Sequence, residues 1–486
     1  MSLFIRKPLS QLMAQGGDSE KGLKRTLGAG NLIALGIGAI IGAGLFVRTA
    51  AAAGEAAGPA VVISFVVAAV GCAFAGLCYA EFASMIPVAG SAYTYAYATM
   101  GEFIAWIIGW ALVLEYALAA ATVSIAWSEY LNNFLISFDI GAIPYQWCHS
   151  PMETSMDGVH GIINLPALFI LLILSAILIK GTRESAFVNA IIVFVKVTIV
   201  LLFIFLGWQF IKPENYHPFM IPADAIGHEA FNKHGFGGVL GGAAIVFFAF
   251  IGFDAVSTAA QEARNPKRDM PIGILGSLIV CTILYILFSH VLTGIANWEE
   301  FKTAGKEASV AYAIQTYMPG YEWLGKLITV AILAGFSSVI LVMLMGQSRV
   351  FYSMSKDGLI PKVFSDIHPT FRTPYKSNMI LFVFVGVFAG FIPGSVAGDL
   401  TSIGTLFAFV MVCAGIWVMR VKNPELHRPF KTPLVPVVPV LGILICAGMI
   451  FSLPTDTLLA AGAWMIVGLF IYFLYSKNNS VLRNKP

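Results

Sequence analysis

Charge is what this chain has least of. Only 11% of its 486 residues are Asp, Glu, Lys or Arg, against about 25% in a soluble domain, which excludes a solvated globular surface. Six cysteines show no metal-ligand spacing. Cys72, Cys78, Cys281, Cys413 and Cys446 fall in apolar runs, where a thiol serves as a small hydrophobic filler. Cys148 stands in segment 137–161 without an evident partner and is expected to be a free thiol. His217, His228 and His234 are scattered among Pro and Gly in 208–236, which reads as a loop. Residues 1–27 lack the apolar core of a secretory signal, so the first apolar run is expected to act as an uncleaved signal anchor. An intramembrane enzyme would need a nucleophile–base or metal constellation at depth, and His290 has no evident Cys, Ser or Asp partner. No enzymatic activity is therefore expected.

Apolar residues take the place of charge. They make up 58% of the chain, and mean hydropathy is +0.82. Runs of about 20 apolar residues, each able to cross a bilayer, recur at 28–52, 59–86, 102–136, 162–180, 186–211, 237–262, 271–296, 322–353, 377–393, 399–420, 436–454 and 457–475. Twelve membrane spans are expected. With the N-terminus placed inside, 22 of the 29 Lys and Arg residues fall on the inner side, six on the outer and Lys196 within the membrane. That asymmetry is what the positive-inside rule requires. An even number of spans then keeps Lys477, Arg483 and Lys485 inside, so both termini are expected in the cytoplasm.

Two of the spans are interrupted by glycine. Span one reads Gly-Ile-Gly-Ala-Ile-Ile-Gly-Ala-Gly-Leu-Phe from Gly36 to Phe46, and span six reads Phe-Phe-Ala-Phe-Ile-Gly-Phe-Asp-Ala from Phe247 to Ala255. Glycine is costly inside a helix, and bare backbone is costlier still in lipid. A matched pair of breaks predicts discontinuous helices around a midplane cavity; close packing through small residues is the plainer alternative for either one. Because five is odd, a second set of five spans enters from the opposite face. The expected plan is a tail 1–27, a first five-helix repeat 28–211, an outer loop 212–236, an inverted repeat 237–420, two further helices in 421–475 and a tail 476–486.

The breaks have a chemistry. Backbone N–H groups of Gly42, Ala43 and Gly44 lose their helical acceptors and can face a carboxylate, aided by the positive end of the restarting half-helix. Carbonyls freed at Ile40, Ile41, Phe247, Ala249 and Phe250 can accept from an ammonium group. Donors at one break and acceptors at the other suit an amino-acid zwitterion. Phe247, Phe248, Phe250 and Phe253 would wall such a cavity or pack within the bundle.

Five ionisable residues stand out. Lys196 lies at membrane depth, where charge is expensive and usually functional; the penalty on burying its charge would let it gain and lose a proton during a cycle. Its arm can reach the freed carbonyls of span one and the hydroxyls of Ser337 and Ser338 on span eight, where a sodium ion would otherwise sit. Glu115 on span three is a candidate proton relay, a contact for a cationic substrate, or a structural hydrogen-bond partner. Asp254 is placed to cap the restarting half of span six. Arg48 is a candidate outer gate with Asp399 at the mouth of span ten, or an interfacial arginine.

The stretches 38–47 (Gly-Ala-Ile-Ile-Gly-Ala-Gly-Leu-Phe-Val), 87–95 (Pro-Val-Ala-Gly-Ser-Ala-Tyr-Thr-Tyr), 248–258 (Phe-Ala-Phe-Ile-Gly-Phe-Asp-Ala-Val-Ser-Thr) and 262–271 (Glu-Ala-Arg-Asn-Pro-Lys-Arg-Asp-Met-Pro) resemble the amino acid–polyamine–organocation transporters. The bacterial cationic amino-acid transporter branch looks nearest, over roughly residues 25–475. The resemblance implies an all-α integral membrane protein with the leucine-transporter fold and alternating access. It implies substrate-backbone contacts at Gly42, Ala43, Gly44 and Phe247–Ile251, and a proton-coupling lysine at Lys196 in place of a sodium site. Phe336 matches a position that limits side-chain room, which argues against arginine or lysine as the main substrate. The expected activity is proton-coupled amino-acid uptake across the cytoplasmic membrane. Obligate exchange with Lys196 held charged, and a non-transporting amino-acid sensor, remain as alternatives. The expected partners are the bilayer, an amino acid and protons, with no cofactor, metal or nucleic acid.

Overall fold

The computed structural model describes residues 3–8, 11–12, 25–42, 44–155, 158–303, 309–451 and 455–484; the side chains of 47, 137, 182–184, 302–303, 309, 394–399 and 455–457 lie outside that description. Helix dominates. Among the described residues, extended pairing is limited to two isolated bridges, Leu27 with Ala263 and Thr154 with His160.

Eight helical runs are long and apolar enough to cross a membrane, and the shorter apolar helices Ala29–Ile40, Leu165–Lys180, Tyr375–Phe391 and Val437–Phe451 account for the remaining expected segments. The first expected span is divided. Helix α1 (Ala29–Ile40) stops, and a helical run α2 over 44–57 restarts it, with π turns Gly44–Arg48 and Ala53–Ala57 around an α turn Thr49–Ala52. The following helices are α3 (Val61–Met85), α4 (Ser91–Thr99), α5 (Glu102–Ser137), α6 (Leu165–Lys180) and α7 (Thr182–Gly207). The sixth expected span is also divided, into α8 (Gly235–Phe247), a 3-10 turn Phe248–Phe250 and a 3-10 run Phe253–Glu262. Then come α9 (Pro266–Ile295), α10 (Glu322–Lys356), α11 (Tyr375–Phe391), α12 (Gly394–Lys422), α13 (Val437–Phe451) and α14 (Thr455–Ile471).

Packing places the divided spans at the centre. Helix α9 lies against α1 and α3, while α10 lies against α5 and α7 and also touches α1 and the 3-10 run. The last apolar run, Leu458–Asn479, is largely exposed, as a lipid-facing helix would be.

Both termini are tied at one end of the bundle. Lys7 pairs with Asp357 just past the end of α10, and Tyr93 of α4 donates to the same carboxylate at 2.7 Å. From the other terminus, Arg483 Nε donates to Glu102 at 2.5 Å and its Nη2 reaches the Leu3 carbonyl at 3.4 Å. Glu102, at the start of α5, also accepts from Tyr97 (2.8 Å) and Tyr472 (3.0 Å), so this buried carboxylate is fully engaged.

Candidate substrate and coupling site

Both glycine-marked breaks are present. The last α-type bond of α1 runs from Ile41 N–H to Ile37 O at 3.0 Å, and Ile41 itself turns extended (φ −76°, ψ 104°). The chain then re-enters helix by a tighter bond, from Leu45 N–H to Gly42 O at 3.2 Å. In span six the extended residue is Ile251 (φ −59°, ψ 135°), followed by Gly252 at φ +114°. That φ is open to glycine and strained for a side chain. A Cβ there would also lie 2.9 Å from the Ala39 Cβ and 3.0 Å from the Met343 Cε. The ten-residue 3-10 run that follows is longer than the three or four residues usual for that geometry, a feature often found at hinges.

The two breaks touch. A Cβ built on Gly44 would lie 2.2 Å from Ala249 Cα and 3.0 Å from Ala249 N, so glycine is what lets the backbones meet. Close packing and unwinding, posed as alternatives by the sequence, occur together. Gly42 faces α10, where a Cβ would lie 2.8 Å from Val339 Cγ2. Ala43 lies outside the described residues.

Lys196 is fully buried on α7. Its Nζ donates to Ile41 O at 2.7 Å, Gly38 O at 3.0 Å and Ser338 Oγ at 2.7 Å. An ammonium has three N–H donors, and three acceptors meet them. One side chain thereby ties α7, the end of α1 and α10 together. Ser338 Oγ in turn donates to Gly38 O at 2.6 Å. Ser337 corrects the expectation: it is not part of this cluster and donates to Leu333 O at 2.8 Å, one turn back on its own helix. Adjacent residues on a helix point about 100° apart, so the helix can aim only one of the pair at Lys196.

Tyr285, in the middle of α9, is a residue the sequence reading missed. Its hydroxyl lies 2.9 Å from Ile40 O and 2.8 Å from Ala249 O, bridging the two breaks. One hydroxyl proton serves two carbonyls, so it can satisfy them only alternately. The sequence did carry a signal: a lone tyrosine at mid-span needs a partner for its O–H. The expectation of five free carbonyls is corrected accordingly. Ile41 is engaged by Lys196, and Ile40 and Ala249 share Tyr285.

The aromatics of span six mostly pack. Phe250 lies edge-on to Tyr285 (ring centroids 5.2 Å), and Phe253 and Phe247 lie against Phe409 at 4.9 and 6.3 Å. Phe248 instead meets Arg48, whose guanidinium carbon is 5.4 Å from its ring centroid. The side chain of Asp399, the expected gate partner of Arg48, lies outside those described. Phe336 is buried on α10 and sits edge-on to Tyr130 of α5 at 5.4 Å.

Two buried carboxyls sit below the second break. Glu115 Oε1 accepts from Thr405 at 2.6 Å, and Asp254 Oδ2 accepts from Tyr116 at 2.8 Å. Asp254 is in the first turn of the 3-10 run, two residues past the N-cap Gly252. Beyond the capping position expected for it, it makes a cross-helix bond with α5. Glu115 Oε2 and Asp254 Oδ1 have no partner among the described residues. Near the C-terminal end of α9, His290 stacks on Tyr216 (5.0 Å), which donates to its backbone carbonyl at 2.9 Å. Cys148 is buried with a free thiol.

Two divided helices that touch each other are the kind of arrangement from which secondary transporters build their sites. Residues 27–475 match the amino acid permease family. The chain belongs to that family. It is similar to the branched-chain amino acid permease BcaP of Bacillus subtilis (strain 168), at 44% identity over 481 residues and 99% of each chain. It is also similar to the methylthioribose transporter of the same organism, at 41% over 481 residues and 99% of each. Human cationic amino acid transporter 4 is 34% identical over 404 residues, 83% of this chain and 61% of that one. Membership makes this permease a multi-pass membrane protein and a transporter, not an enzyme, and implies the leucine-transporter fold.

Proposed function

We propose that this permease takes up a neutral amino acid with a branched aliphatic side chain, coupled to protons, by alternating access. Twelve spans cross the bacterial cell membrane, with 28–211 and 237–420 as inverted repeats, 421–475 as two further helices and both termini cytoplasmic. The observation that carries the coupling is the coordination of Lys196. As an ammonium it satisfies Ile41 O, Gly38 O and Ser338 Oγ at once. A neutral amine has two donors and a lone pair, so it holds only two of the three oxygens by donation, and the third contact survives only if Ser338 turns its O–H from Gly38 O to the lone pair. Loss of the proton therefore loosens the end of α1 from α7 and α10, and α1 is one of the two walls of the substrate site. Lys196 would occupy the place of a bound sodium ion.

The substrate carboxylate is assigned to the N–H groups at 42–44, and its ammonium to the carbonyls around Phe247–Ile251. Tyr285 holds Ile40 and Ala249 when no ammonium is present and yields them when one arrives. Arg48 over Phe248 is assigned to the outer side of the site, and Glu115 to proton movement beneath it. The buried Phe336–Tyr130 pair leaves little room for a long cationic side chain, which favours a branched-chain substrate, as the name of the 44% identical relative also does. An uncharged thiosugar is the second reading, favoured by the 41% identical relative alone.

The test is uptake into proteoliposomes with and without an imposed proton gradient, competed with leucine, isoleucine, valine, arginine, lysine and methylthioribose. Leucine, isoleucine and valine should compete, and the gradient should drive accumulation. Competition by methylthioribose alone would establish the second reading. Counterflow indifferent to pH would establish obligate exchange, and saturable binding with no flux would establish a sensor.

Two substitutions separate neighbouring residues. Ser338→Ala removes an acceptor of Lys196 and is expected to lower gradient-driven accumulation at least tenfold, whereas Ser337→Ala should stay within twofold of wild type in the same assay. Tyr285→Phe keeps the ring and removes the O–H. It leaves buried carbonyls unpaired at a cost of about 1–3 kcal/mol, and should reduce the initial uptake rate about tenfold.

A further inference from the structure

Arg349 and Glu262 form a pair of opposite charges that the transport site does not use. Both side chains are fully buried, and Arg349 Nε donates to Glu262 Oε1 at 2.7 Å. Arg349 Nη1 donates to Ser348 Oγ at 2.9 Å. Each residue keeps one atom unengaged: Arg349 Nη2 and Glu262 Oε2 have no partner among the described residues. The pair also has a defined place. Glu262 ends the 3-10 run that starts at the span-six break, roughly 20 Å along it. Arg349 lies on α10, ten residues beyond Val339 and so roughly 15 Å from the span-one break. The two elements that border the substrate site therefore carry these charges at their inner ends. The pair adjoins the parallel bridge of Leu27 and Ala263, where Thr26 and Leu27 N–H both donate to Glu262 O at 2.9 Å.

Stability is a poor reason for such a pair. A buried ion pair seldom outweighs its own desolvation, and an apolar pair of similar volume often serves as well. The chemistry of the unengaged atoms is more informative. A free guanidinium N–H seeks an acceptor, and a free carboxylate oxygen seeks a donor. A metal cation would be repelled by Arg349 and an inorganic anion by Glu262. A ligand with both signs a few ångströms apart satisfies both.

We propose that Arg349 and Glu262 are an inner station for the zwitterionic head group of the amino acid, occupied after it leaves the breaks and before it enters the cytoplasm. Arg349 Nη2 takes the carboxylate and Glu262 Oε2 the ammonium. The station shortens the stretch over which a doubly charged head group travels without partners, which is the costly part of an apolar path. It rests on the amino-acid reading above.

The test compares the two faces of the membrane. Right-side-out and inside-out vesicles report the KM for L-leucine from the outer and the cytoplasmic side. The double variant Glu262→Leu with Arg349→Met keeps a packed, uncharged pair. Its expected cytoplasmic-side KM is at least tenfold above wild type, with the outer-side KM within twofold; Glu262→Gln alone should move the same way. A pair that merely latched the inner side would, once removed, favour inward opening and lower the cytoplasmic-side KM, which would overturn the proposal. An unchanged KM, or an equal change on both sides, would also overturn it and would leave a water-filled pair. Wild-type vesicles that transport no leucine from either side would refute the underlying substrate assignment instead. Outer-side transport by the double variant serves as the check on its folding.

Discussion

Lys196→Met is expected to abolish gradient-driven accumulation while leaving part of the exchange activity. Methionine keeps most of the lysine stem and its packing but donates no hydrogen bond. Ile41 O then loses its donor, while Gly38 O and Ser338 Oγ keep only their bond to each other. An unpaired buried acceptor costs about 1–3 kcal/mol, so the end of α1 is held less firmly in every state. The larger effect is on coupling: no proton is carried, and the internal-to-external leucine ratio should settle at unity whatever the imposed gradient. Counterflow, which needs only the substrate site and its motion, should persist at a reduced rate. Lys196→Ala should give the same loss of accumulation with a further fall in stability, because it adds a cavity. Leaving such a cavity costs roughly 2–5 kcal/mol for a large aliphatic side chain in a packed core. Accumulation retained by either variant would remove Lys196 from the coupling step.

Gly44→Val carries the second large effect. Its Cβ would fall 2.2 Å from Ala249 Cα, and backbone cannot swing aside as a flexible side chain can. The two breaks would be forced apart, and the restarting half-helix would lose the position that aims its N–H groups. Leucine binding and exchange should both fall at least a hundredfold, read by counterflow and by loss of leucine-dependent thermal stabilisation. Gly448→Val on α13 is the matched control. Its Cβ would meet nothing within 4 Å, so transport should stay within twofold of wild type. An active Gly44→Val protein would mean that contact between the breaks is dispensable.

Much of the frame was legible because lipid leaves few choices. An apolar run must be helical, and a glycine cluster inside one marks the place where it need not be. The interruptions at 40–42 and 248–252 follow from that rule, and so does Lys196, since a charge at that depth demands partners. What the sequence hid is rotation about helix axes. Ser337 and Ser338 are equivalent in a string of letters, but only the second faces α7. The Arg48 ring contact with Phe248 and the Tyr116 bond of Asp254 depend on how separate helices turn toward each other. Tyr285 was hidden differently. Its ring is at home in an apolar span, so only its hydroxyl signalled a role, and its two acceptors come from other spans. Nothing in the sequence pairs Arg349 with Glu262; their burial and their unengaged atoms appear only in the fold.

The most direct measurement places a pH-sensitive dye inside proteoliposomes and adds leucine outside, with no imposed gradient. Acidification of the lumen by the wild-type permease is expected, in proportion to the leucine that enters, and none with Lys196→Met despite continuing exchange. Leucine entry by the wild type with no change in internal pH, or equal acidification by the variant, would contradict it.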